Sequence, residues 1–330
     1  MTFAKRHHLV PEFFLERFAK DNKVLVVSRN NLKDRFLSSV DNALVQRHFY
    51  SLDFEEGKDL TVERMFDTEV ESPASRAIRR VVDQRRSTTL PALRRAISTF
   101  LAFQFVRGTA TREASILWYQ ELARHTGKIA TPEIVKAELE RQGEVMSLGE
   151  AQELVDFARE GDYRIDISPK ANVHLRGALP NALEVIPFFE RRTWMVLDFD
   201  QPRLISSDEP IVLIGDSRAV GEPTGVGTAG EIVVVTDPSH ALVLVRPDKN
   251  ARECRSPGTA AMADLINKHV AFNAHRYVVC HPDCVPLQGF TLPKKADPVM
   301  VLGDQVVTQL RTSVRARREW LKKHKAPSIR

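Results

Sequence analysis

Cysteine is scarce. Three in 330 residues are too few, and odd in number, for a disulfide framework, and they point to a reducing compartment. Long apolar runs are missing too: the longest, around Phe100 to Val106, is interrupted by Gln104 and is far shorter than the ~20 residues a membrane span requires. Only 15 glycines and 18 prolines exclude collagen-like and low-complexity architecture. The basic start, Met1 to His8, runs into no apolar segment of signal-peptide type, so no targeting signal is read and a cytoplasmic protein without membrane contact is expected. No Walker loop, H-E-x-x-H or G-x-S-x-G occurs, so no nucleotide-cofactor motif is read.

What remains is an ordinary globular composition, 43% hydrophobic and 28% charged. The length allows two domains and a core that needs no staple. Net charge is +5, but its placement says more than its sum. Residues 305–330 carry eight basic side chains, Arg315 and Arg318 among them, against Glu319 alone. A second run, 76–95, sets seven arginines (Arg76, Arg79, Arg80, Arg85, Arg86, Arg94 and Arg95) against Asp83. Such clusters attract polyanions by counterion release, although a charge run also coats any solvated helix face.

Period and punctuation give an α+β class. A short helix is expected over 11–20, where Pro11 fits a first turn and Phe13, Phe14, Leu15 and Phe18 form an apolar face. Val24–Ser28 and Phe49–Leu52 read as strands. Residues 59–190 read as a helical lobe: Thr131-Pro132-Glu133 opens a helix that Gly143 closes, Ser147 and Glu150 form a capping box, and Gly161 ends the next helix. Leu90 to Arg107 is its most apolar helix. Residues 191–303 read as a β-rich, mixed or antiparallel lobe. Its strands are expected at Trp194–Leu197, Leu204–Ser206, Ile211–Ile214, Ile232–Val235, Ala241–Val245 and Tyr277–Cys280, with one helix over 258–272. Residues 1–58 form an N-terminal motif segment, and 304–330 a basic helix and tail.

Several groups have residue types suited to chemistry. His7 and His8 precede a helix start, where free amides favour an anion and an imidazole can act as acid, base or ligand; packing against the helix end is the plainer reading. Ser206-Ser207-Asp208-Glu209-Pro210 follows a strand, and a carboxylate held there can bind a hard cation. Asp198 and Asp200, two apart, share a face if the strand persists. A polar turn explains the same residues. Glu63 and Glu69 lie six apart, and Gln104 and Arg107 lie three apart in an otherwise apolar helix, as a site or a buried network would place them. Gly225 to Gly230 matches G-x-G-x-x-G, but a strand follows, so a flexible loop is expected instead of a phosphate cradle. Cys280, His281 and Cys284 lack a second C-x-x-C pair, so zinc is not expected.

The stretch His8-Leu9-Val10-Pro11-Glu12-Phe13-Phe14-Leu15-Glu16-Arg17-Phe18 resembles the opening of the bacterial domain of unknown function 4238. The likeness continues in order through Phe49-Tyr50, Glu63, Glu69, Phe103-Gln104 to Arg107, Trp194, Ser207-Asp208 with Pro210, Asn267 and Arg276. Two positions depart from the family pattern. Glu209 stands where Asn is common, and Gly108-Thr109 follow Arg107 where Thr-Pro is common. The resemblance implies a link to anti-phage defence and carries no settled activity.

The leading expectation is a metal-assisted nuclease or phosphodiesterase. In it His8 with His7 acts as base or ligand, and Asp208 and Glu69 hold Mg²⁺ or Mn²⁺. Arg107, Gln104, Arg276 and Asn267, with Arg315 and Arg318 of the tail, bind phosphate. The alternatives are a non-catalytic sensor of nucleic acid or of a phage component, and a nucleotide-modifying enzyme.

Overall fold

The structure is a computed structural model that describes residues 6–47, 53–54, 57–58, 66–161, 165, 171–215, 224–248, 251–284, 287 and 290–293. The chain divides into two compact units, Met1–Arg112 with Lys170–Ala296, and Glu113–Pro169 with Asp297–Arg330. In chain order the elements are β1 (Arg6–His8), α1 (Glu12–Leu15), β2 (Lys23–Ser28), β3 (Arg35–Ser39), β4 (Val45–Arg47), the short strands β5 (Asp53–Phe54) and β6 (Gly57–Lys58), α2 (Ser72–Val82), α3 (Pro91–Arg107), α4 (Thr109–Ile129), α5 (Pro132–Arg141), α6 (Leu148–Glu160), α7 (Ala171–Glu190), β7 (Thr193–Asp198), β8 (Ser206–Ser207), β9 (Ile211–Ile214), β10 (Glu231–Asp237), β11 (His240–Val245), β12 (Cys254–Pro257), α8 (Ala260–Asn273) and β13 (Tyr277–Cys280). The class is α+β, as the change of period at about residue 190 predicts.

The first unit holds two main sheets. One runs β12-β7-β11-β10-β9, antiparallel except for the parallel pair of β12 with β7. The other runs β3-β2-β13-β8 and is antiparallel throughout. The cores of β2, β10 and β11 are buried at successive positions, Val24 to Val27, Ile232 to Val235 and Ala241 to Leu244, which is why their sequences are unbroken apolar runs rather than alternations. Helix α3 buries Leu93, Ile97, Phe100, Leu101, Ala102, Phe103 and Val106 and packs against α7 and α2.

Helix α1 is shorter than the 11–20 segment predicts. One turn gives way to a 3-10 turn over Glu16–Phe18, because Phe13 and Phe14 are drawn onto Phe100 with ring centroids 5.3 and 5.8 Å away. The strand expected at Leu204–Ser206 pairs only at Ser206 and Ser207. The expected loose loop at Gly225 to Gly230 is pinned instead: buried Arg192 donates to the carbonyls of Val226 (2.8 Å), Ala229 (2.8 Å) and Gly230 (3.2 Å).

In the second unit the expected punctuation is realised. Helix α5 has Pro132 in its first turn, Gly143 follows it at φ +90, and α6 begins with the Ser147–Glu150 capping box and is followed by Gly161. The strand expected at Phe49–Leu52 and the helix expected at 304–323 lie outside the described residues.

Candidate functional site

Motif residues from distant segments meet at the C-terminal end of α3. Gln104, buried, donates from Nε2 to the Leu9 carbonyl (2.8 Å), and so ties the His8-Leu9-Val10-Pro11 segment to the helix. Its Oε1 accepts from Nε (2.9 Å) and Nη2 (2.6 Å) of Arg107. Arg107, also buried, reaches Glu71 through Nη1 (2.9 Å), and its guanidinium lies 5.7 Å from the Phe66 ring centroid. The i, i+3 spacing of Gln104 and Arg107 thus builds a fork whose donors are used internally. Glu71, and not the expected Glu69, is the acid that reaches this network; Glu69 is exposed in the π-helical turn Phe66–Glu71 that precedes α2.

His8 is accounted for locally. Its Nδ1 lies 3.2 Å from the Ala43 carbonyl and its Nε2 lies 2.8 Å from Glu12 Oε1. The anion-binding helix start expected beside it is a four-residue turn whose Glu12 carboxylate meets the imidazole. His7 pairs with Gln46 in the β1–β4 ribbon, and its side chain lies outside the described residues.

The Ser207-Asp208-Glu209 segment closes the other side of the same region. Asp208 is 1% exposed, and its carboxylate accepts from the main-chain N–H groups of His275 (2.8 Å), Arg276 (2.7 Å) and Tyr277 (3.0 Å). Burial pushes its pKa up, and those three amides pull it back without cancelling the rise. The carboxylate therefore stitches β8 to the entry of β13. Asn267 does the equivalent for α8: its Oδ1 accepts from Ile205 N (3.0 Å) and its Nδ2 donates to the Arg203 carbonyl (2.8 Å).

The two departures from the family pattern are neighbours in space. Glu209 Oε1 accepts from Ala110 N (2.8 Å) at the start of α4, and a Cβ placed on Gly108 would lie 2.5 Å from Glu209 Oε2. Gly108 leaves the room that the longer acid occupies.

A cluster of titratable groups lies elsewhere in this unit and, as an assembly, escapes sequence reading. Arg17, from the opening motif, donates to Asp83 (2.7 Å), Asp237 (2.7 Å) and the Thr236 carbonyl (3.0 Å). His240 Nδ1 lies 2.7 Å from Asp237 and its Nε2 3.7 Å from Asp198, which Arg255 and Arg85 approach at 3.4 and 3.5 Å. Burial raises the Asp237 pKa, but the hydrogen bonds and charges of His240 and Arg17 outweigh it and hold the carboxyl below its ordinary range. Arg17, Asp83, Arg85 and Asp198 stand out in the sequence for separate reasons, but nothing there joins them; His240, Arg255 and Arg85 reach Asp198 from three other segments, and Asp200 is exposed.

The expected Mg²⁺ or Mn²⁺ site does not fit these side chains. Among the described residues no three histidine, cysteine or carboxylate groups are assembled as a metal ion needs, and the Asp208 oxygens already face three amides. Cys280 is buried, which pushes its thiol up to about 12. Arg276 is exposed. Arg315 and Arg318 lie outside the described residues, as does Glu63.

An α+β chain whose motif residues interlock its N-terminal segment, α3 and β8–β13 defines the structural class. The family described as "Protein of unknown function (DUF4238)" matches residues 6–283, and the chain belongs to it. No curated protein and no solved structure matches it. No helix among the described residues is long and apolar enough to cross a membrane.

Proposed function

We propose that this protein binds nucleic acid without base specificity through the arginine face of α2. One observation carries the reading. Arg76, Arg79 and Arg80 are exposed on one side of a helix whose other side, Ala74, Ala77, Ile78, Val81 and Val82, is buried. Arg86 is exposed just beyond its end, and the side chains of these four have no hydrogen-bond or ion-pair partner among the described residues. Asp83, the acid on that face, is taken up by Arg17. Arginines kept free of carboxylates are available to phosphates, whereas the rest of the run is spoken for: Arg94 holds Glu253 at 2.7 Å, Arg95 reaches Glu190 at 3.1 Å and Arg85 approaches Asp198. The +5 net charge supports the same reading.

The motif residues then serve as the frame behind this face. The nuclease expectation keeps only its sequence motifs as support, because the described carboxylates form no ligand group. The anti-phage setting implied by the family resemblance fits a nucleic-acid binder equally well. The test is fluorescence anisotropy with labelled duplex DNA and duplex RNA against the wild type and an Arg76→Glu/Arg79→Glu/Arg80→Glu variant. Binding by the wild type that the variant loses, with the thermal midpoint kept, supports the reading. Equal binding by both moves the contact elsewhere, and a parallel Mg²⁺ or Mn²⁺ incubation that degrades the labelled strand restores the nuclease.

A further inference from the structure

Arg29 immediately follows β2, where burial and charge are in conflict. Its side chain is only 4% exposed. Its Nε is buried with no hydrogen-bond partner, and the contact made by its guanidinium is a long bond from Nη1 to the Pro293 carbonyl, 3.3 Å. Among the described residues no carboxylate lies within ion-pair distance of it. A buried cation without a counter-charge is costly, because desolvation is not repaid by a partner. Arg192 shows how this chain otherwise handles the problem: four carbonyls, those of Val226, Ala229, Gly230 and Leu244, surround that guanidinium.

A second guanidinium stands opposite. The β2–β13 ladder ends with Ser28 paired to Tyr277, and one step beyond it Arg29 N donates to the Arg276 carbonyl at 2.8 Å, which sets Arg29 and Arg276 opposite one another at the end of the ladder. Directly opposed residues of an antiparallel pair project to the same face with Cβ atoms about 5 Å apart, and like charges there are destabilising. Arg276 is exposed and its side chain has no partner among the described residues. Asp208, the carboxylate at this corner, is engaged by three amides, the Arg276 N–H included.

We propose that Arg29 and Arg276 form a binding site for a small phosphate-class oxyanion, either inorganic phosphate or the phosphate of a mononucleotide. The anion would accept from the orphaned Nε of Arg29 inside and from Arg276 at the rim, and would neutralise two opposed charges at once. Planar guanidinium donors suit such oxygens. The site is separate from the α2 face and does not depend on its reading.

Thermal denaturation of the full chain in millimolar sodium phosphate, in AMP and in chloride of matched ionic strength tests it. A ligand that binds only the folded state raises the midpoint with its concentration. The wild type and the triple α2 variant should both rise by several degrees in phosphate, in AMP or in both, over chloride. A response to phosphate identifies the free ion as sufficient, and one to AMP alone identifies the nucleotide. Arg29→Met should lose the rise, and its midpoint in chloride should equal or exceed that of the wild type, since a buried unpaired charge is gone. Arg276→Gln, at an exposed position, should reduce the rise and decides the matter should Arg29→Met fail to fold. No rise in the wild type with either anion, or an undiminished rise in Arg276→Gln, overturns the proposal.

Discussion

Asp208 shows how a residue that looks catalytic can be explained by the backbone around it. Its three amide bonds hold the turn between α8 and β13, and each amide left without a partner costs about 1–3 kcal/mol. Asp208→Ala should therefore lower stability markedly in urea denaturation. A variant of wild-type stability would show that the carboxylate is not structural and would reopen a chemical role. Asp237 yields a pH prediction of definite sign. A carboxyl whose folded pKa lies below the unfolded value of about 3.9 stabilises above that value and loses its contribution as pH falls through the folded one. Here the depression is set by His240 and Arg17 acting against burial. Asp237→Asn should be less stable at neutral pH, and the gap to the wild type should close as pH drops below about 4; a gap that stays constant down to low pH would show that Asp237 acts by shape alone. Gly108 and Glu209 should be coupled. Gly108→Thr would push the Glu209 carboxylate off Ala110 N, and adding Glu209→Asn should recover about 1 kcal/mol in a double-mutant cycle. Strict additivity would mean that the two departures are unrelated.

At the scale of elements, helices and strands built from β-branched runs were legible, the edge strand β9 among them, and the edge strands β3 and β12 were not. The run Leu90 to Arg107 names α3 almost to the residue, and Ser147 with Glu150 names the start of α6, because caps and apolar period are local. The strands β2, β9, β10, β11 and β13 announce themselves through β-branched runs. Strand β12, Cys254-Arg255-Ser256-Pro257, does not: it has no apolar alternation, ends in proline, and is a strand only because β7 offers it an edge. Strand β3 leaves Phe36 and Leu37 half-exposed at the rim of its sheet, so burial gave it no pattern to read. The site divides the same way. The i, i+3 pair Gln104 and Arg107 was visible as a shared face, but their partners Leu9 and Glu71 arrive through tertiary packing. For the Arg17–Asp237–His240–Asp198 cluster, no spacing could show that separate segments converge.

For the whole molecule, charge placement matters more than charge total. Counterion release makes affinity for nucleic acid fall with salt in proportion to the phosphates contacted, with a slope of about −0.9 in log–log form for each phosphate on duplex DNA. The arginines that structure leaves unpaired on and just beyond α2 should therefore set part of that slope, while Arg94, half-buried over Trp194 at 4.8 Å and paired with Glu253, should not; Arg94 substitutions belong among stability effects. The most direct test is the salt dependence of duplex DNA binding by the wild type and by the Arg76→Glu/Arg79→Glu/Arg80→Glu variant. A nucleic-acid contact on α2 predicts a steep wild-type slope that becomes shallower by about 2–3 in the variant, with affinity reduced alike for unrelated sequences. The same slope in both proteins, or no binding by a folded wild type at low salt, would contradict it.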